Sequence, residues 1–217
     1  MPIKHNNLPS ALIAVDLCIF KIMNDNLYIY VTNVENEMYK GKKALPGGLI
    51  RLDETGDDAT RRVIQEKTEL ESAKIYKEQL YTFSGINRDK RSRVVASAYL
   101  CLYVGEQTEQ FVPITQAKNL AYDHDLIVTT AVDRLQNKLE YTTIIQKAIQ
   151  VKFTYSELQK AYEIILGKSI DKRNFRKKID SLGIIKETGE HKKEGRMRPA
   201  MLYRFTSSSV ENIKIFS

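Results

Sequence analysis

Apolar and polar positions alternate along this chain in two different rhythms. Residues 11–20 and 27–34 are short runs rich in Ile, Val and Tyr, and the turn formers Asn24-Asp25-Asn26 between them predict an antiparallel pair. Leu45-Pro46-Gly47-Gly48-Leu49 reads as a strand broken by a tight turn. From residue 56 to 70 the spacing becomes helical, with Ala59, Val63, Ile64 and Leu70 on one side. Two more strands follow over 73–83 and 93–104, then a short edge strand over 111–114. A helix over 124–139 carries Leu126, Ile127, Thr130, Val132 and Leu135 as its apolar face.

The last third has a different character. Residues 142–150 are amphipathic and predict a helix. A second helix covers 157–166, with Thr154 or Ser156 as its cap, Leu158, Ala161, Tyr162 and Ile165 as its buried stripe, and Gly167 as its stop. A third covers 171–182 and ends at Gly183. Two strands, 184–187 and 201–205, flank a long polar, basic loop. Three helices followed by a β-hairpin make the winged form of the helix-turn-helix. The pattern therefore predicts an α/β unit over residues 1–141 and a winged helix-turn-helix over 142–217.

Composition narrows the function classes. The chain has 217 residues, 42% hydrophobic and 28% charged, an ordinary globular balance that excludes disorder and collagen-like repeats. The longest apolar run is about half a membrane span and contains Asp16; with no secretory pattern at the start, a cytoplasmic protein without membrane contact is expected. Cys18 and Cys101 sit in apolar stretches without CxxC spacing and read as reduced core residues. Charge is distributed unevenly. Residues 142–217 hold 16 basic and 8 acidic side chains, against 18 and 19 in residues 1–141, so the whole surplus of +7 lies in the tail. A near-neutral domain joined to one that meets a polyanion is the physical reading.

Gly48, Glu54, Arg62, Ile64, Glu66 and Leu70 fall at the positions of a Nudix box. Val63, Lys67 and Glu69 stand where that box has two acids and a glycine. In an active box, carboxylates at i, i+3 and i+4 of one helix hold the Mg²⁺ that activates water. Here those positions are Val63, Glu66 and Lys67, so a ligand is replaced by a cation, and at 4 Å a partly screened charge pair is worth about 4 kcal/mol. Neither metal nor catalytic residue is expected. Arg62 and Glu66 have the i, i+4 spacing of a helix-surface ion pair, and Arg62 can lock the preceding loop through Glu54.

A second cluster, Arg88-Asp89-Lys90-Arg91-Ser92-Arg93, lies in a glycine-containing loop between strands. Guanidinium groups there can grip a diphosphate bidentately, or the loop is a solvated hairpin tip. His124 at a helix start reads as a capping or packed imidazole, and Tyr122 as packing. In the tail, Phe175, Ile179 and Leu182 share one edge of a helix, while Arg173 and Lys177 lie almost opposite, flanked by Asn174 and Arg176. Such a face suits a DNA major groove: Arg reads guanine, Asn reads adenine, Lys neutralises phosphate. Lys178 extends this basic helix, and Lys192, Lys193, Arg196 and Arg198 supply a basic wing.

These motifs together resemble the Nudix-related, NrtR-like transcriptional regulators of bacteria. The likeness rests on the degenerate box, on Arg88-Asp89, on Ala121-Tyr122-Asp123-His124, and above all on Phe153-Thr154, Glu157-Leu158-Gln159, Tyr162-Glu163, Leu166-Gly167 and 171–177. The resemblance implies a Nudix α/β/α sandwich with a mixed sheet, fused to the winged helix. It also implies a homodimeric repressor of NAD biosynthesis genes, released from a double-stranded operator by ADP-ribose, or a relative that binds a sugar such as arabinose. Gly48, Glu54, Arg62, Glu66, Arg88, Asp89 and Arg91 form the candidate effector set. No cofactor is implied. The competing reading is a Nudix hydrolase of ADP-ribose or a similar nucleoside diphosphate.

Overall fold

The computed structural model describes residues 10–193 and 199–213. The first hairpin is β1 (Leu12–Met23) and β2 (Asn26–Tyr30), in register from Phe20↔Ile29 to Met23↔Asn26. Asn24 and Asp25 both take positive φ, 47° and 59°, the geometry of a two-residue turn whose twist matches the strands. β3 (Thr32–Asn33), β4 (Lys43–Ala44) and β5 (Gly47–Leu49) follow, and then helix α1 (Gly56–Lys67). A capping box starts α1, in which the Thr55 hydroxyl accepts from the Asp58 amide and the Asp58 carboxylate accepts from the Thr55 amide. The helix ends three residues earlier than its apolar spacing predicts, because the Thr68 hydroxyl donates back to the Ile64 carbonyl and the backbone turns extended.

β6 (Ile75–Phe83), β7 (Val94–Tyr103) and β8 (Phe111–Pro113) complete a sheet ordered β6-β7-β1-β2-β8, with β5 also paired to β1. β1 and β7 run parallel and their other partners antiparallel, so the sheet is mixed. Alternate residues of β1 face opposite layers, as the period of two demands. Val15, Leu17 and Ile19 pack with Ala59, Val63 and Ile64 of α1, while Cys18 and Phe20 pack toward helix α2 (His124–Tyr141). The free thiols of Cys18 and Cys101 are buried. In α2 the buried stripe is Ile127, Val128, Ala131, Leu135 and Leu139; Leu126, expected on that face, is 58% exposed. The helix phase is set by the i, i+4 series from Ile127 through Leu139, which leaves Leu126 about 100° off it.

The predicted helix over 142–150 is a single 3₁₀ turn, Ile144–Lys147. Four consecutive β-branched residues, Thr142 to Ile145, disfavour a helix. The backbone there also bonds elsewhere: the Thr143 amide donates to Glu211 O at 2.9 Å and Ile213 N–H to Tyr141 O at 2.7 Å. Helix α3 (Tyr155–Leu166) opens with a capping box formed by Thr154 and Glu157 and closes at Gly167 in the left-handed region, φ 67°. Helix α4 (Lys172–Leu182) is capped by Asp171 and closes at Gly183, φ 62°. The turn between them is clamped by Glu163, which accepts from the Ile170 amide at 2.9 Å and from Gln159 at 3.0 Å. Strands β9 (Ile185–Lys192) and β10 (Ala200–Phe205) form the hairpin, and Phe153 bridges to Tyr203 as a third short strand. β9 runs five residues further than the sequence pattern predicts, because its polar side chains are tethered to the chain around α3. Glu190 pairs with Lys152 and Lys192 with Glu157, each at 2.6 Å.

The two regions share one apolar core. Phe153, Leu158, Tyr162 and Ile165 join Ile127, Leu135 and Leu139 in it, and Gln136 donates across the seam to the Ile165 carbonyl at 2.9 Å. No described helix is long and apolar enough to cross a membrane.

Candidate functional site

Between the sheet and the segments that carry β3, β5 and the 88–94 loop lies a cavity of about 690 Å³. That is ample for a nucleotide-sized ligand. Its floor is a buried ion cluster. Arg88, 4% exposed at its side chain, donates to Asp16 Oδ2 at 2.9 Å and to both oxygens of Asp123 at 2.7 and 3.0 Å. His124 accepts the Leu45 amide hydrogen at Nδ1, 2.9 Å away. This acceptor role fixes the neutral tautomer with the proton on Nε2, which points at Asp16 Oδ1 from 3.6 Å. Burial alone would push the Asp16 carboxyl up, but His124 and the Arg88 guanidinium act against it and hold the carboxyl below the usual range.

Gly47 is required beside this cluster. A Cβ there would collide with the Asp16 carboxylate and stand 2.8 Å from the Val15 carbonyl. Gly47→Ala is therefore expected to destabilise the protein by about 1–3 kcal/mol, the usual cost of overpacking. Thermal unfolding checks this, and an unchanged melting point would contradict the close contact of Asp16 with this backbone.

The remnant of the Nudix box divides into two parts. Gly48, Glu66 and Lys67 line the cavity; Glu54 and Arg62 do not. Of the four box residues expected at a ligand, the structure thus brings Gly48 and Glu66 to the cavity and sets Glu54 and Arg62 behind it. Arg62 braces the loop instead, donating to Glu54 at 2.5 and 2.9 Å, to the Leu49 carbonyl at 2.9 Å and to Glu66 at 3.2 Å. The bonds from Arg62, against a smaller desolvation effect, bring the Glu54 carboxyl down to about 2. Val63 is fully buried in the apolar layer. Lys67, on the last turn of α1, donates to the Gly47 carbonyl at 2.6 Å.

The arginine loop also changes role. Arg88, Asp89 and Arg91 all line the cavity, but the Arg88 charge is already matched by two carboxylates. Arg91 pairs with Asp89 at 2.6 Å and lies 5.1 Å over the Tyr122 ring. Arg93 clamps the Gly85 and Ser84 carbonyls from outside. Sequence reasoning left Asp16 and Gly47 out of the candidate set, and it read Tyr122 and His124, which also line the cavity, as packing. Tyr122, at φ 58°, packs on Tyr39 with ring centroids 4.4 Å apart and forms cavity wall. The Pro46-Gly47-Gly48 triplet was the available signal for the glycine. The local mark of Asp16 is that it is the lone charge inside the apolar run over 11–20.

On the winged helix, Phe175 and Ile179 anchor α4, and Lys172, Arg173, Asn174, Arg176 and Lys177 are exposed. Lys178 is half-buried. Arg176 is the least free of these, lying 4.7 Å over the Tyr155 ring and 3.9 Å from Asp180. Lys192 is tied to Glu157, Lys193 is exposed, and Arg196 and Arg198 lie outside the described residues.

Comparison with known proteins follows the same two-part division. Residues 145–205 match the NrtR DNA-binding winged helix domain. The chain is 34% identical over 215 residues to the ADPR responsive transcriptional repressor NtrR of Acinetobacter baylyi, covering 93% of this chain and 85% of that one. The crystal structure of Shewanella oneidensis NrtR complexed with a 27mer DNA superimposes with TM-score 0.77 at 29% identity, over 89% of this chain and 93% of that one. The Nudix domain of the same Shewanella protein, solved with ADP ribose, matches 59% of this chain and 90% of its own at 26% identity and TM-score 0.50. With a relative of that identity along nearly its whole length, this chain belongs to the NrtR family.

Proposed function

We infer that this protein is a DNA-binding transcriptional repressor, a homodimer on its operator, whose Nudix domain reads ADP-ribose without hydrolysing it. ADP-ribose is a product of NAD breakdown, which supports genes of NAD synthesis or salvage as the targets. The observation that carries the reading is the course of α2. Its first residue, His124, walls the cavity; its later turns pack into the same core as α3 and bond to it through Gln136. Ligand in the cavity and DNA on α4 thus act on opposite ends of one packed unit, an arrangement in which each can bias the other. The DNA-bound and ADP-ribose-bound Shewanella relatives support the two partners. The cation at Lys67 and the aliphatic at Val63 support binding without turnover.

The test is a mobility shift with DNA from the protein's own upstream region at low salt. Binding is expected to weaken steeply with added salt and to be reversed by ADP-ribose but not by arabinose. Absence of a shifted band, or a complex indifferent to ADP-ribose, would remove this reading. Magnesium-dependent release of AMP and ribose phosphate would establish the hydrolase instead.

A further inference from the structure

The Nudix fold implies a divalent ion at the α1 wall of the cavity, and the residues present do not fit one. Mg²⁺ requires hard oxygen ligands with charge to spare. Here Glu66 is the box acid that remains in the cavity, and it already faces Arg51 at 3.3 Å and Arg62 at 3.2 Å. Among the described residues no group of three His, Cys, Asp or Glu could hold a metal ion.

The cations in the cavity wall are not equivalent. Arg88 is matched by Asp16 and Asp123, and Arg91 by Asp89. Lys67 meets no carboxylate among the described residues; its ammonium contacts the neutral Gly47 carbonyl. An ammonium has three donors, so one bond to Gly47 fixes its position and leaves two directed elsewhere. It is also a compact point charge, closer in character to a metal ion than a guanidinium is.

We propose that Lys67 is a tethered cation that takes the place of the divalent ion and holds the diphosphate of the effector. The proposal rests on the reading of this cavity as an ADP-ribose site and specifies how that ligand is gripped. Affinity is then independent of divalent metal. A lysine cannot generate a bound hydroxide as a metal does, so the same replacement that grips the ligand leaves it intact.

Calorimetry of ADP-ribose with the full-length protein tests this in two buffers, one with EDTA and one with Mg²⁺. The parent is expected to bind equally in both. Lys67→Ala should weaken binding about 10- to 100-fold in both, the size of a lost charge-assisted hydrogen bond. Lys67→Arg, which keeps the charge, should recover most of that loss, and the melting points of both variants should match the parent. Unchanged affinity in Lys67→Ala, or parent binding that appears only with Mg²⁺, overturns the proposal and leaves the ADP-ribose reading standing. No heat from the parent in either buffer overturns the reading, and the proposal with it.

Discussion

Arg88→Met is expected to lower the stability of the protein by about 3–5 kcal/mol, read as a fall in the urea midpoint with little change in slope. The size follows from what stays behind. Asp16 and Asp123 are 7% and 18% exposed at their side chains and share this one guanidinium, so its removal leaves Asp123 without its partner and Asp16 with only the His124 imidazole, 3.6 Å away. The dependence on pH supplies a second readout. In the parent, the carboxyl of Asp16 is held below the usual range, so its contribution is fully present above about pH 4 and is lost as the pH falls through the folded value. Without Arg88, burial is opposed by His124 alone, so the folded value of Asp16 moves up toward the unfolded one and the stability it contributes above about pH 4 shrinks. The gap between the two proteins should therefore be widest near neutrality and shrink on acidification. Adding Asp16→Asn to the variant should restore part of the loss, because the orphaned charge is gone. Equal midpoints at neutral pH would show that the cluster does not anchor the cavity floor.

Arg173→Ala combined with Lys177→Ala is expected to weaken operator binding by about 2–4 kcal/mol and, through the lost phosphate contact of Lys177, to reduce the slope of log K against log salt by about 1. Both residues are exposed on the face of α4 opposite Phe175 and Ile179, so the melting point should hold within the range of ordinary surface substitutions. Arg176→Ala should cost less affinity and some stability, since that side chain already lies on Tyr155 and near Asp180. Lys192→Ala should act mainly through the wing, by freeing Glu157 and loosening β9 from α3. If the double variant binds as tightly and with the same salt slope, α4 is not the recognition helix.

The division between what was legible and what was not follows the range of the forces involved. The turn at Asn24-Asp25, the stops at Gly167 and Gly183, the buried stripe of α3 and the two faces of α4 were all readable from the chain. Each depends on residues within about one helical turn or one hairpin of each other, where dihedral preference, capping and periodicity act directly. The gaps in the Nudix box were readable for the same reason, being substitutions at fixed spacing on one helix. The helix over 142–150 failed because its competing hydrogen bonds come from residues 211–213, on a returning segment that no local pattern announces.

Charge was the harder case. The sequence by itself determined how much positive charge the tail carries and which Nudix acids are missing. Only the tertiary structure decided which cations are already matched. Arg88 finds Asp16 across 72 positions and Asp123 across 35, Lys192 finds Glu157 across 35, and Lys67 reaches back 20 positions to a backbone carbonyl. Coulomb attraction and desolvation depend on distance in space and on burial, and both are fixed by how the sheet and helices close.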